Sequence, residues 1–217
     1  MIIVGLMGGV GNQLFQYATA RRLSIKLGVD LFIDPFLLKH HFKFHTTARP
    51  FLLDRFNVEC NLINQQQLNE FLFRNHPIKK NICNILGKHI NCNKLIKSSF
   101  LFVEQDQNFD SRVLHLDDNI YMRGYFQNER YFIDIRNILI NEIKIKKPTN
   151  QENRYVLEDI KKGPSVCVHV RRGDYYSNPF VRKTHAVDLS QYYQSSIRMM
   201  EEKVINCRFF IFSDDRY

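Results

Sequence analysis

At 217 residues with 44% hydrophobic and 24% charged side chains, the chain has the make-up of an ordinary globular protein whose length lies between one domain and two. Its formal charge of +9 is unevenly spread, which keeps anionic partners open. The longest apolar stretch, Met1 to Val10, is too short for a bilayer and holds three glycines, while five widely spaced cysteines (Cys60, Cys83, Cys92, Cys167, Cys207) without a CxxC encode neither a disulfide framework nor a zinc site. No signal peptide or membrane helix is read, and a reducing cytoplasm is the expected compartment.

Ile2-Ile3-Val4 predicts a buried strand, the glycines at 5, 8, 9 and 11 a tight turn, and Asn12 a helix cap. Leu14, Ala18 and Ile25, with Ala20, Leu23 and Leu27 beside them, have helical spacing, and Gly28 ends that helix. Val29 to Ile33 reads as a second strand closed by Asp34-Pro35, so the chain opens as a parallel α/β layer. Asn64 to Phe73 looks helical, whereas residues 77 to 99 give only a weak helical signal. From Phe71 to Val103 there are six cations (Arg74, Lys79, Lys80, Lys88, Lys94, Lys97) and no acid. That stretch suits nucleic acid, an anionic membrane surface or a phosphorylated glycan, or is simply a solvated basic face.

Asn119 to Arg123 predicts a strand, Ile133 to Ile145 a helix, and the polar segment Lys146 to Gly163 a linker or domain boundary. A second α/β unit follows: strand Ser165 to Val170, a helix over Leu189 to Val204, and strand Arg208 to Phe212. One βαβ unit does not close a domain, so the chain reads as truncated.

Period two in Ser165 to Arg171 puts Val166, Val168 and Val170 on one face and Cys167, His169 and Arg171 on the other. Arg171-Arg172-Gly173-Asp174 leaves the carboxyl end of this strand, where open α/β sheets bind ligands. Adjacent guanidiniums in a glycine-containing turn offer planar, permanently charged donors for a pyrophosphate; the bland alternative is a surface ion pair of Arg172 with Asp174. The next strand delivers Ser213-Asp214-Asp215. A carboxylate there is able to accept both adjacent N–H donors of guanine, or to cap a following helix. No DxD occurs, so arginine is expected to neutralise a leaving diphosphate in place of a metal.

Gly8-Gly9-Val10-Gly11-Asn12-Gln13 resembles a dinucleotide fingerprint, but Leu14 stands where the third glycine belongs, and Asp34 falls on schedule by coincidence. The turn offers close backbone approach at Gly11 and the short amides of Asn12 and Gln13 for a sugar or phosphate. His40, His41 and His45 match no common zinc spacing and read as a solvated loop.

Gly8 to Ala18, His169-Val170-Arg171-Arg172-Gly173-Asp174-Tyr175 and Phe209 to Asp215, in this order, resemble the α-1,2-fucosyltransferase family, glycosyltransferase family 11; Gly124-Tyr125-Phe126-Gln127 with Tyr131-Phe132 is similar to a fourth block. The resemblance implies an α/β, GT-B-like fold with two facing Rossmann-like domains: an acceptor-side domain over 1–150, and over 151–217 the start of a GDP-fucose-binding domain. It implies transfer of L-fucose from GDP-fucose to the 2-hydroxyl of a galactose in a surface glycan, inverting and without a metal. It places Arg171 on the diphosphate, His169 near the nucleotide and an acid of the Asp214 block on guanine, with Arg172, Ser213 and Asp215 beside them. The Gly-Asn-Gln turn is similar to one in protein O-fucosyltransferases, which implies that Asn12 faces the transferring sugar. Asp174 is the nearby candidate base, although a carboxylate between arginines is a weak one. The family's tryptophan-rich downstream block is missing and the chain has no Trp. Binding to nucleic acid is not expected, and a peripheral contact with an anionic membrane is. The rival readings are an inactive fragment, a basic nucleic-acid-binding protein and an NAD-linked oxidoreductase.

Overall fold

Strand β1, Ile2–Gly5, is the centre of the larger of two sheets, and Ile2, Ile3 and Val4 are fully buried. A branched apolar run without alternation is what a parallel strand covered on both faces requires. The computed structural model describes residues 1–39, 49–75, 100–146, 150–173, 179, 182–183 and 187–214. The histidines at 40, 41 and 45, most of the basic stretch and the weak helical signal over 77–99 lie outside the described residues, as do Asp174 and Asp215.

β2 (Leu31–Asp34), β3 (Asn61–Leu62), β4 (Leu101–Val103) and β5 (Ile120–Arg123) complete the sheet in the order β3-β2-β1-β5-β4, every pairing parallel. Periodicity finds β1, β2 and β5. The edge strands β3 and β4, of two and three residues, are too short to carry a period.

Helix α1 (Val10–Leu27) covers one face, where Tyr17, Ala20 and Leu23 pack on Ile2, Val4, Ile33 and Met122. A short helix α2 (Phe36–Lys39) follows β2. Helix α3 (Gln65–Asn75) covers the other face, with Leu68, Phe71 and Leu72 against Ile3 and Tyr121. Gly28 ends α1 in the left-handed region (φ 64°), as its sequence position predicts. Gly9, not Asn12, is the N-cap, so Asn12 stands within the first turn with its amide available for other contacts. The buried face of α1 also carries polar groups that a hydrophobic stripe does not reveal, among them Gln13 and Gln16.

The segment after β5 begins as two 3₁₀ turns, Glu129–Tyr131 and Ile133–Ile135, before helix α4 (Arg136–Glu142). The expected helix to Ile145 stops early because Ile145 is drawn into an antiparallel bridge with Phe56. At the end of α4 the carboxylate of Glu142, 7% exposed, accepts the Tyr17 hydroxyl and takes Arg21 through Nε (3.0 Å) and Nη2 (2.7 Å). A buried carboxylate needs this pairing, since its desolvation is otherwise uncompensated. Burial, then the bond to Glu142, pushes the Tyr17 phenol well above its ordinary value and keeps it a donor.

The described residues divide into two compact units after Lys146. In the second, the predicted linker is a helix, α5 (Gln151–Lys161). Asn150 caps it by accepting from the Asn153 amide, Glu152 lies in its first turn and Lys161 in its last. The prolines that suggest a boundary thus flank a helix and do not interrupt one. Strands β6 (Ser165–Val170) and β7 (Arg208–Ser213) pair in parallel and are joined through helix α6 (Ser190–Lys203). Arg208 secures the entry to β7 through Asp159 (3.0 Å) and the Phe210 ring. Among the described residues no helix is long and apolar enough to cross a membrane.

Glu142→Ala, which strands Arg21 and the Tyr17 hydroxyl, is expected to lower the unfolding free energy in urea by about 3 kcal/mol. Asp134→Ala removes a half-exposed partner of Arg22 and is expected to cost less than about 1 kcal/mol in the same titration. Burial pushes the Cys60 thiol up to about 11, whereas Cys167 is exposed. Peptide-resolved alkylation at about pH 8 is therefore expected to label Cys167 well before Cys60.

Candidate functional site

From β1 the chain runs outward to β3, then returns from the opposite edge through β4 to β5. The order reverses beside β1, so the carboxyl ends of β1 and β5 form the switch point at which an open parallel sheet binds ligands. The β1 exit leads through Gly8 into α1, and the β5 exit is Gly124-Tyr125-Phe126-Gln127.

One buried side chain ties the two exits together. Gln16 accepts from the Met7 amide (3.0 Å) and donates to the carbonyls of Met7 (3.2 Å) and Gly124 (3.0 Å). Gln13 is equally occupied: its amide nitrogen donates to Gly8 O (3.2 Å) and Pro50 O (2.9 Å), and its oxygen accepts from Leu52 N (3.0 Å). Gln13, expected to touch a ligand, is fully buried and holds the turn from inside. Asn12 and Gly11 remain on the accessible side.

The β5 exit contains a local strain. Phe126 has φ 52°, which costs a non-glycine residue about 1–2 kcal/mol; full burial of its ring, T-shaped against Tyr131, returns about 2–3 kcal/mol. The Glu104 carboxylate, just after β4, steadies the bend by accepting from Tyr125 N (2.6 Å) and Phe126 N (3.1 Å). A side chain at 124 would meet Glu104 at 2.5 Å, so that position needs glycine. The bend leaves Tyr125 and Gln127 exposed, and Gln127 Nε2 donates to Asn12 Oδ1 at 2.6 Å. On its other side the first turn of α1 borders an apolar groove lined by Leu14, Phe15, Phe132 and Ile133. Glu129 and Arg136 also line this groove.

Asp34, at the spacing of a ribose-binding acid, is buried and accepts the Tyr121 hydroxyl (2.7 Å) and the Phe36 amide (2.9 Å). It is a structural carboxylate, which removes the support for a dinucleotide reading.

In the second unit, Val166, Val168 and Val170 are half-buried while Cys167 and His169 are exposed, the alternation that period two demands. The register pairs His169 with Phe212 and Val170 with Ser213, so the basic and acidic strand tips lie side by side. The Tyr193 hydroxyl of α6 donates to His169 O (3.0 Å) and holds the strand end. Arg171, Arg172, Ser213 and Asp214 are exposed at these tips. Asp214 Oδ1 accepts both Arg172 N (2.8 Å) and Gly173 N (3.0 Å). A Cβ on residue 173 would lie 2.8 Å from Asp214 Oδ2, so a side chain there would push the carboxylate out of this position. The Arg172 amide above all, with the Gly173 amide and the charge of Arg171 adding to it, holds the Asp214 carboxyl below the usual aspartate value against the opposing effect of burial.

Sequence reasoning names His169, Arg171, Arg172, Ser213 and Asp214, which stand together, and Gly11, Asn12 and Gln13, of which Gln13 points inward. It passes over Gln16, Glu104 and Gln127. The only local signal for the last two was the Gly-Tyr-Phe-Gln string and the acid that follows β4.

A lowered carboxyl contributes bonding that is present above its unfolded value and is lost as pH falls through its folded value. The amide resonances of Arg172 and Gly173 are therefore expected to titrate together with a midpoint below the ordinary 3.8. Asp214→Asn, which retains an acceptor, is expected to keep both amides hydrogen-bonded with no titration. Asp214→Ala is expected to release them, read as faster amide hydrogen exchange.

The sequence profile of Glycosyl transferase family 11 matches residues 1–216. An alpha-1,2-colitosyltransferase of Escherichia coli is 31% identical over 99% of this chain and 69% of its own length. The O-antigen biosynthesis glycosyltransferase WbnK of Escherichia coli is 27% identical over 97% of this chain and 71% of its own. Among solved structures, the fucosyltransferase NodZ from Bradyrhizobium superposes with a TM-score of 0.52 at 13% identity, covering 99% of this chain and 72% of NodZ. NodZ alpha-1,6-fucosyltransferase co-crystallized with GDP gives a TM-score of 0.52 at 14% identity and the same coverage. At that identity the likeness speaks for the α/β, GT-B-like fold alone. With the profile spanning both units, the chain belongs to glycosyltransferase family 11 and is a fucosyltransferase-like glycosyltransferase.

Proposed function

We propose that the protein transfers L-fucose from GDP-fucose to the 2-hydroxyl of a galactose residue in a surface glycan, inverting the anomeric carbon and using no metal. The observation that carries this reading is the basic turn Arg171-Arg172-Gly173 at the carboxyl end of β6, braced by Asp214 through two backbone amides. The co-crystallisation of the structural neighbour NodZ with GDP supports a guanosine diphosphate sugar as donor.

In the reaction, the bond from C1 to the β-phosphate oxygen breaks and its electron pair leaves with the diphosphate, while acceptor O2 bonds to C1 from the opposite face. The hydroxyl proton passes to a base or to solvent. Asp174, next in sequence to the turn, is the candidate base, weakened by its arginine neighbours. The guanidinium of Arg171 meets the charge that grows on the β-phosphate as the bond stretches, with Arg172 and His169 assisting and Ser213 and Asp214 at the nucleotide side. Because the turn is already folded by Asp214, little reorganisation is needed when the charge appears.

A second reading concerns the donor sugar. The similarity to an alpha-1,2-colitosyltransferase favours colitose, the 3-deoxy counterpart of fucose, on the same nucleotide. A site that hydrogen-bonds the 3-hydroxyl rejects the deoxy sugar by about 10⁴-fold or more, whereas one that merely leaves room for it discriminates by roughly 100-fold or less. Competition between the two GDP-sugars separates the readings.

In the complete gene product, Arg171→Lys is expected to lower transfer from GDP-fucose to lactose on the order of 100-fold, because lysine keeps the charge but not the planar fork. Excess EDTA is expected to leave turnover unchanged. Near wild-type activity of Arg171→Lys, or loss of activity with EDTA, overturns the assignment.

A further inference from the structure

We propose that Gln127 is a positioning residue that fixes the amide of Asn12 so that it offers its NH₂, and not its oxygen, to the sugar ligand. The inference rests on the reading that Asn12 faces the transferring sugar.

The contact spans 115 residues of sequence and joins the β1 exit to the β5 exit, with Gln127 Nε2 donating to Asn12 Oδ1 at 2.6 Å. Gln127 is exposed, and a solvated amide–amide bond adds little to stability. Its geometry nevertheless depends on a costly device: the positive φ of Phe126 and the two amide bonds to Glu104 that turn residue 127 toward α1. Strained backbone of this kind persists where the surroundings over-determine it, and it clusters at ligand sites.

In the observed sense of the pairing, Gln127 donates and Asn12 accepts. An asparagine whose oxygen is occupied has only N–H donors left. Flipping Asn12 alone would set its NH₂ against the NH₂ of Gln127, whereas flipping both amides would free Oδ1, the sense that an acceptor-only Glu at 127 would impose. On its other side Asn12 Nδ2 lies so close over Gly8 that a Cβ there would approach to 2.2 Å. Gly8, at φ 77°, therefore serves both the turn and the seat of the amide. The fixed NH₂ calls for an acceptor oxygen on the ligand, such as a sugar hydroxyl, the ring oxygen or a phosphate oxygen.

The test is a double-mutant cycle of Gln127→Ala and Asn12→Ala in the complete gene product, with kcat and KM for GDP-fucose and thermal melting measured for each variant. Gln127→Ala is expected to lower kcat/KM by about 10- to 100-fold through misplacement of a ligand-facing group, with Tm within about 2 °C of wild type. In the Asn12→Ala background the same substitution is expected to add nothing, since Gln127 acts through Asn12. Gln127→Glu keeps the length but is no donor to Oδ1, and is expected to cost at least as much as Gln127→Ala. Effects that multiply independently, or an impaired Asn12→Ala beside an unimpaired Gln127→Ala, overturn the proposal. Wild-type turnover of Asn12→Ala instead removes the sugar-facing role of Asn12 on which it rests, and the proposal with it.

Discussion

The first unit is organised around the buried amide of Gln16. It is one of few side chains that accept and donate at once, and it uses both capacities to join the backbone of Met7 to that of Gly124. Each such bond contributes about 1 kcal/mol net, but an unpaired amide at full burial costs more than it would have gained. The register of α1 on the sheet is set by that asymmetry as well as by apolar packing. A helix shifted by one residue would bury the same Tyr17, Ala20 and Leu23 poorly and would leave Gln16 without partners. Gln13 applies the same constraint one turn earlier, on Pro50 and Leu52. With two glutamines holding the loops from within, Asn12 is left to work outside.

The second unit solves the corresponding problem with a charge. The turn after β6 has backbone amides with no strand partner, and Asp214 from the end of β7 satisfies two of them. The carboxylate is an anion throughout the neutral range, because those amides and the nearby Arg171 all favour its charged form. A guanidinium-rich turn thereby acquires a rigid frame and a neighbouring negative charge.

The elements legible in the sequence were those with enough residues to show a period. β1, β5, β6, β7 and α1 follow from Ile2-Ile3-Val4, from the alternating valines of 166–170 and from the helical spacing up to Gly28. The edge strands Asn61–Leu62 and Leu101–Val103 were not legible, since pairing with neighbours and no internal pattern makes them strands. The segment 146–163 reads as a linker or boundary from its polar composition and flanking prolines; the two units divide at its start, but most of it is helix α5, whose cap at Asn150 is a single hydrogen bond. The predicted helix through Ile145 ended early because a contact with Phe56, far away in the chain, competes for that residue.

What the sequence by itself determined is the local chemistry: a glycine turn entering a helix, a string of guanidiniums leaving a strand, an acidic tip on the next strand, and with them the family. Those features are encoded within a few residues of one another, so spacing alone reveals them. Only the tertiary structure decided which polar groups of Gly-Asn-Gln-Leu-Phe-Gln face the crevice and which brace it. Their partners Pro50 and Gln127 lie 37 and 115 residues away, and an amide's direction is settled by whatever it bonds to.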